Sequence, residues 1–217
     1  MTTSKRRKSS CEEIRKKLME DLALILNNEN VSEDVKKNAI NYAIYNWTEA
    51  NGKYEGNKYW SEKAYINYAY KDNRPYKLVH EHIIPRKIIR EKIFNELEEQ
   101  KIKNKSKLDS LSLYLLFSRF VVAAVITKDE DDMFRNSYDG IKLRSKMPQG
   151  YNILQKNREH WYENVWARYF AVNEKALKEE NKIIIYDVTW NGSIDKDYRI
   201  CLSGFTPRDV LDNLLEH

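Results

Sequence analysis

Residues that interrupt helices are scarce in this chain of 217 residues, which contains only six glycines and four prolines. These two residues are the most unfavourable in a helix interior, and a β-sandwich needs them at its many turns. Apolar side chains also recur at helical spacing, for example at Ile14, Leu18, Leu22 and Ile25. The sequence therefore predicts a mainly helical protein.

Side chains that can cap helix N-termini indicate where several of these helices begin. Ser10 is followed three residues later by Glu13, and Thr127 is followed at the same spacing by Glu130. In a capping box of this type, each side chain hydrogen-bonds the backbone N–H of the other residue. We expect the helix after Thr127 to continue to about residue 140. Further caps are expected at Ser32 and Ser61.

Three segments indicate β-structure within this helical background. Residues 78–84 are expected to be extended, and residues 182–190 form the clearest strand. Asn191 and Gly192 then predict a type I′ turn, with residues 198–202 as the returning strand. Residues 108–126 are apolar and remain ambiguous between helix and strand. The predicted fold class is α+β, predominantly helical, with a small C-terminal β-hairpin.

The expected domain organisation follows from these elements and from the charge distribution. Residues 1–9 form a basic arm in which Met1 is the only apolar residue, a composition typical of disorder. Residues 10–181 form the mainly helical domain, and residues 182–214 form a hairpin and short helix packed on it. Residues 215–217 resemble the start of a C-terminal purification tag, and a natural ending is the alternative.

Charge, cysteine content and hydropathy restrict the compartment and the partners. The formal net charge of +5 permits an anionic partner such as nucleic acid without requiring one. The two cysteines, Cys11 and Cys201, lie far apart and are expected to be free thiols in a reducing compartment. No apolar run reaches the roughly 18 residues of a membrane span. We therefore expect a cytoplasmic protein with no membrane contact.

The segment 79–87 brings together the residue types of a catalytic or metal site. On a strand, His80 and His82 point to one face and Glu81 points to the other. Two imidazoles at this spacing can bind one divalent metal, for which His160 and Glu163 are candidate further ligands. The alternative is that these histidines hydrogen-bond as residues of the core or its rim.

The helix predicted to begin at Pro85 offers a second type of site. Helix N-termini attract anions, and the side chains of Arg86 and Lys87 add positive charge there. A phosphate at this position could be approached by His82 as a general base. The alternative is that Glu81 itself occupies the anion position.

Two further cations and a lone arginine are candidates for binding roles. Arg144 and Lys146 stand in an irregular segment and could bind phosphate or carboxylate groups. The alternative is a solvated loop with Met147 packed inward. Arg168 lies among aromatic residues, where it is expected to stack on a ring or pair with a buried acid.

The sequence Glu81-His82-Ile83-Ile84-Pro85 resembles the first motif of HNH, or ββα-metal, nucleases. The resemblance implies Glu81 as a metal ligand and His82 as the base that activates water. Arg86, which follows in the sequence, completes the candidate catalytic set of Glu81, His82 and Arg86. The family continues with a glycine-containing loop, a second strand, a central asparagine and a helix that carries His or Asn. In this chain a helix is expected directly after Pro85, and Asn95 is the only nearby asparagine.

A broader pattern resembles that of bacterial and phage proteins of unassigned activity. It comprises Trp-Ser at 60–61, His-Glu-His-x-x-Pro, Ala-Val-Ile-Thr-Lys at 124–128, Leu-Arg-Ser-Lys-Met-Pro at 143–148 and Trp-Ala-Arg-Tyr at 166–169. Together these observations predict a nucleic-acid-associated protein with a metal-dependent phosphodiesterase site that uses Mg, Mn or Zn. A non-catalytic binding or regulatory protein is the alternative, and an enzyme acting on a small phosphorylated substrate is a third hypothesis.

Overall fold

A computed structural model describes residues 10–54, 56–69, 76–102, 107–135, 137–138, 140–148, 165–176 and 181–187. The predicted basic arm, His160, Glu163, the Asn191-Gly192 turn with its returning strand, Cys201 and residues 215–217 lie outside these ranges. The chain divides into two compact units. The first contains the described residues of Met1–Gly56 and Arg86–Val122, and the second contains those of Asn57–Pro85 and Ala123–His217.

Helices dominate the described residues, as the scarcity of glycine and proline predicted. The fold class is α+β and mostly helical, with a small mixed sheet. In chain order the elements are α1 (Cys11–Asn27), α2 (Glu33–Thr48), β1 (Tyr59–Ser61), α3 (Glu62–Ala69), β2 (Leu78–His82), α4 (Arg86–Ile102), α5 (Ser110–Phe120), β3 (Ala123–Thr127), α6 (Lys128–Met133), β4 (Ser137–Tyr138), β5 (Ile141–Lys142), α7 (Ala167–Glu174) and β6 (Ile185–Asp187).

The first unit is built from helices α1, α2, α4 and α5. The capping box predicted at Ser10 and Glu13 is present at the start of α1. The Arg15 guanidinium donates to the backbone oxygen of Trp47 and lies over its ring, which joins α1 to α2. The fully buried apolar side chains of this unit include Met19, Leu26, Ile40, Ile44, Ile89, Ile93, Leu113 and Phe117.

The second unit contains a four-stranded sheet in the order β2-β3-β1-β6. Strand β3 is central, pairing antiparallel with β2 and parallel with β1, while β6 pairs antiparallel with β1. All five residues of β3 are buried. This matches the apolar, β-branched sequence of the strand, since such residues pack well on a covered sheet.

The ambiguous segment 108–126 contains both a helix and a strand. Asp109 caps α5 by accepting a hydrogen bond from the backbone N–H of Ser112, and the helix ends before β3 begins. The predicted helix after Thr127 begins as expected, with a capping box, but it ends at Met133 rather than near residue 140. A short hairpin of β4 and β5 follows, and Gly140 adopts a φ of 75° at its turn.

Candidate functional site

The His-Glu-His segment lies at the end of strand β2, in agreement with its predicted extended conformation. His80, Glu81 and His82 lie opposite Val125, Ala124 and Ala123 of β3 in the antiparallel register. The centroids of the two histidine rings are 5.2 Å apart in an edge-to-face arrangement. This places both rings on one face of the strand, which confirms the alternation expected from the sequence. His82 is buried, and only 8% of its surface is exposed.

Glu81 points to the opposite face of β2, where it forms an ion pair with Arg168 of α7. One carboxylate oxygen accepts a hydrogen bond from the Arg168 guanidinium, and the other lies 3.3 Å from the Tyr169 hydroxyl, which donates to it. Burial raises the pKa of Glu81, while the adjacent guanidinium opposes that rise. Both carboxylate oxygens of Glu81 are therefore engaged within the protein.

Arg168 is completely buried and connects several segments of the second unit. It donates to the backbone oxygens of Ile83 at 2.9 Å, of Leu143 at 2.8 Å and of His82 at 2.8 Å. Its guanidinium also lies 4.8 Å from the ring centroid of Phe134. The expectation that Arg168 would stack on an aromatic ring or pair with a buried acid is confirmed, because it does both.

Helix α6 follows β3 directly and packs against β2. Its Asp131 carboxylate is close enough to Glu81 for its negative charge to add to the rise in the Glu81 pKa. Strand β2, which contains His80, Glu81 and His82, thus pairs with the antiparallel strand β3 and packs against the helix that follows it. Sequence reasoning missed this arrangement, because residues 83–122 separate the two strands along the chain.

A divalent metal would need at least three convergent ligands and a supporting set of hydrogen bonds. Across the described ranges, no group of three or more His, Cys, Asp and Glu side chains is placed to hold a metal ion. Glu81, the ligand implied by the nuclease resemblance, is occupied by Arg168 and Tyr169. The described residues alone do not fit a metal. The wider set of His80, His82, His160 and Glu163 stays a prediction.

The predicted anion-binding residues fall in both units. Arg86 and Lys87 begin α4 in the first unit, where the Arg86 guanidinium lies 4.4 Å from the Tyr45 ring centroid. Lys87 pairs with Glu91 at 3.7 Å. Arg144 and Lys146 follow β5 in the second unit and are exposed, while Met147 beside them is buried. This burial pattern agrees with the solvated-loop alternative for that segment.

A buried carboxylate, Glu130, lies in the same unit at the start of α6. Its Oε2 accepts hydrogen bonds from the Ser61 hydroxyl at 2.6 Å and from the Thr127 backbone N–H at 2.8 Å. The Ser61 hydroxyl also accepts from the backbone N–H of Ala64 and so caps α3. Both caps were predicted from sequence, but the bond between them was not, because 69 residues separate Ser61 from Glu130.

Comparisons with known proteins supply no relative for this chain. No protein family, curated protein or solved structure matches it. Among the helices described here, none combines the length and apolar character that crossing a membrane requires. A function for this chain is therefore inferred from its residues and their geometry.

Proposed function

We propose that this chain is a nucleic-acid-associated protein with a metal-dependent phosphodiesterase site of the HNH type, in which His82 is the general base. The observation that carries the proposal is the order of elements around His82. Strand β2 ends at His82, pairs antiparallel with β3, and is packed by the helix α6 that follows β3. The two antiparallel strands and the helix resemble in space the arrangement that the name ββα-metal describes, although helices α4 and α5 separate β2 from β3 along the chain.

The chemistry assigned to each residue follows from its contacts. An imidazole changes charge near neutral pH, so His82 can take a proton from an attacking water molecule. Arg168 acts as a positioning residue, because it donates to the backbone oxygen of His82 and holds Glu81. The proposal also requires Mg, Mn or Zn, for which His80, His160 and Glu163 would be the ligands once His82 serves as the base.

The test is cleavage of single-stranded and double-stranded DNA and RNA by purified protein in the presence of each metal. We expect His82→Ala to abolish metal-dependent cleavage while the protein remains folded. Val79→Ala on the same strand is the matched control, and it should retain activity per folded molecule. Absence of cleavage, of bound metal and of any thermal stabilisation by added metal would contradict the proposal.

A non-catalytic binding or regulatory protein is the second candidate, and a specific observation favours it. The Glu81 carboxylate is engaged by Arg168 and Tyr169, and His82 is buried, so the segment can serve as architecture. In that case His82→Ala would leave hydrogen-bond partners unsatisfied and lower the free energy of unfolding by about 1–3 kcal/mol. Equilibrium unfolding of the variant, measured beside the cleavage assay, separates the two candidates.

A further inference from the structure

One surface of the first unit combines exposed tyrosines with arginines. It is formed by Asn41, Tyr42 and Tyr45 of α2 and by Arg86 and Arg90 of α4, and we call it the tyrosine–arginine surface. The exposed fractions are 65% for Tyr42 and 40% for Tyr45. Helices α2 and α4 pack against each other, so these residues belong to adjacent elements of one unit.

The two tyrosines are not needed for the core of the unit. Helix α2 buries a different set of side chains, which are Ile40, Ala43, Ile44, Trp47 and Thr48. Tyr42 and Tyr45 stand three residues apart on a helix, where side chains are neighbours. A tyrosine ring carries a large apolar area that is usually at least partly buried. Two adjacent exposed rings therefore offer a platform on which a planar partner can stack.

The arginines hold positive charge at the same surface. The Arg86 guanidinium lies 4.4 Å from the Tyr45 ring centroid, and an Arg90 nitrogen lies 3.5 Å from the Asn41 side-chain oxygen. Neither arginine forms an ion pair with any carboxylate in the described part of the chain. The two guanidiniums add two positive charges to this surface, and the chain as a whole has a net charge of +5.

We infer that the tyrosine–arginine surface binds single-stranded nucleic acid. Bases stack on the exposed rings, and the guanidiniums of Arg86 and Arg90 contact phosphates. A single strand fits better than a duplex, because only unpaired bases present their faces for stacking on aromatic side chains. The inference depends on the proposed function only for the class of partner, which is nucleic acid. The surface itself belongs to the first unit, whereas His82 belongs to the second.

The test measures binding of a fluorescent oligothymidylate to the full chain across a series of salt concentrations. Tyr42→Ala removes a stacking platform and no charge, so its Kd should rise by at least about five-fold with the salt dependence unchanged. Arg90→Ala removes a phosphate contact, so the slope of log Kd against log salt should become shallower by about 0.7.

Two variants provide matched controls. Tyr76→Ala removes another exposed tyrosine, which is 42% exposed and belongs to the second unit. Lys17→Ala removes one positive charge from α1, where the Lys17 side chain is 66% exposed. Both should change the Kd by less than about two-fold, because an exposed side chain outside the binding surface contributes little to a complex.

Several outcomes would overturn the inference. These are no binding of oligothymidylate, equal affinity for a duplex, an unchanged Kd in Tyr42→Ala, or equal losses in the control variants. His82→Ala separates this inference from the proposed catalytic function. If His82→Ala and the unmodified chain bind equally but neither cuts, the catalytic proposal fails and the surface stands. If the chain cuts nucleic acid while Tyr42→Ala and Arg90→Ala bind normally, the surface assignment fails alone.

Discussion

Glu81, with 13% of its side chain exposed, and the buried Glu130 are two carboxylates of the second unit whose surroundings satisfy them in different ways. Glu81 faces the guanidinium of Arg168, a full positive charge that is itself completely buried. Glu130 accepts hydrogen bonds from neutral groups, namely the Ser61 hydroxyl and the backbone N–H and hydroxyl of Thr127. Burial raises the pKa of both carboxylates, and these different partners oppose the rise.

This difference determines how much unfolding free energy is lost when a partner of each carboxylate is removed. Around Glu81, loss of one charge leaves the other buried without compensation, which is among the most costly changes in a protein interior. Around Glu130, loss of a partner removes a hydrogen bond of ordinary strength. We therefore expect substitutions in the Glu81 network to be more destabilising than those in the Glu130 network.

The largest effect is expected for Arg168→Met. The variant keeps much of the side-chain length but leaves Glu81 and the backbone oxygens of Ile83 and Leu143 without their donor. Breaking a buried ion pair from one side costs about 3–5 kcal/mol of unfolding free energy. Denaturant unfolding measures the loss, with Arg144→Met at an exposed position as the control. A loss below about 1 kcal/mol would contradict the assigned role.

Glu81→Gln tests the same pair from the acidic side. Glutamine retains the shape and one acceptor oxygen, so Arg168 keeps a hydrogen bond but loses its counter-charge. We expect a loss of about 2 kcal/mol at neutral pH, since hydrogen bonds to charged groups contribute about 1.5–3 kcal/mol. The double variant with Arg168→Met should be less destabilised than the sum of the single variants. Additive losses would show that the two side chains act independently.

The parts of the molecule that the sequence predicts are local ones. The capping boxes at Ser10 and Thr127, the cap at Ser61 and the alternating faces of the His-Glu-His strand depend on spacings of two or three residues. The sequence predicted that Arg168 could pair with a buried acid, but it did not identify the acid as Glu81, which lies 87 residues away. Hydrophobic periodicity describes residues that are close in the sequence, so it cannot identify a partner at this separation. The packing of the second unit determines that partner.

Two local expectations were wrong. Ser32 stands at the N-terminus of α2, but its side chain makes no capping hydrogen bond. The helix after Thr127 ends early, although its first turn is strongly favoured, because a glycine with positive φ allows the chain to form a hairpin after Met133. The order of β2, β3 and α6 around His82 was not predicted, because helices α4 and α5 lie between the two strands in the sequence. The metal ligands and the catalytic role of His82 remain predictions.

Ser61→Ala is expected to have an intermediate effect. The substitution removes the hydroxyl that donates to Glu130 and that accepts from the backbone N–H of Ala64 at the start of α3. Loss of such a cap and of one buried hydrogen bond costs about 1–2 kcal/mol in unfolding free energy. Ser145→Ala at an exposed position is the control for thermal and denaturant unfolding. An unchanged stability would mean that another group replaces the hydroxyl.

The smallest effect at neutral pH is expected for Glu130→Gln, and its value lies in the pH dependence. The glutamine oxygen can accept the bonds that Oε2 accepts from Ser61 and Thr127, and the one cation that acts on Glu130, Lys63, does so through its charge without a hydrogen bond. The difference in unfolding free energy should therefore stay below about 1 kcal/mol, the size of one ordinary hydrogen bond. Glu13→Gln, in the exposed capping box of α1, reports the effect of the same substitution in solvent.

The sign of the pH dependence follows from the raised pKa of Glu130, which burial causes and the bonds from Ser61 and Thr127 oppose. The folded state then holds the proton more tightly than the unfolded state, whose glutamates titrate near 4.5. Stability from this group is complete below that pH and is lost as the pH rises through the folded-state pKa. Glutamine cannot ionise, so the wild-type protein should lose stability relative to Glu130→Gln as the pH rises from about 4 toward neutrality. Unfolding curves at a series of pH values measure this difference. The opposite result would be a gain in the unfolding free energy of the wild type relative to the variant over the same range. It would mean that the hydrogen bonds from Ser61 and Thr127 stabilise the ionised carboxylate by more than burial destabilises it. Neutral donors would then be sufficient to stabilise a buried carboxylate that lacks the hydrogen-bonded cation of Glu81.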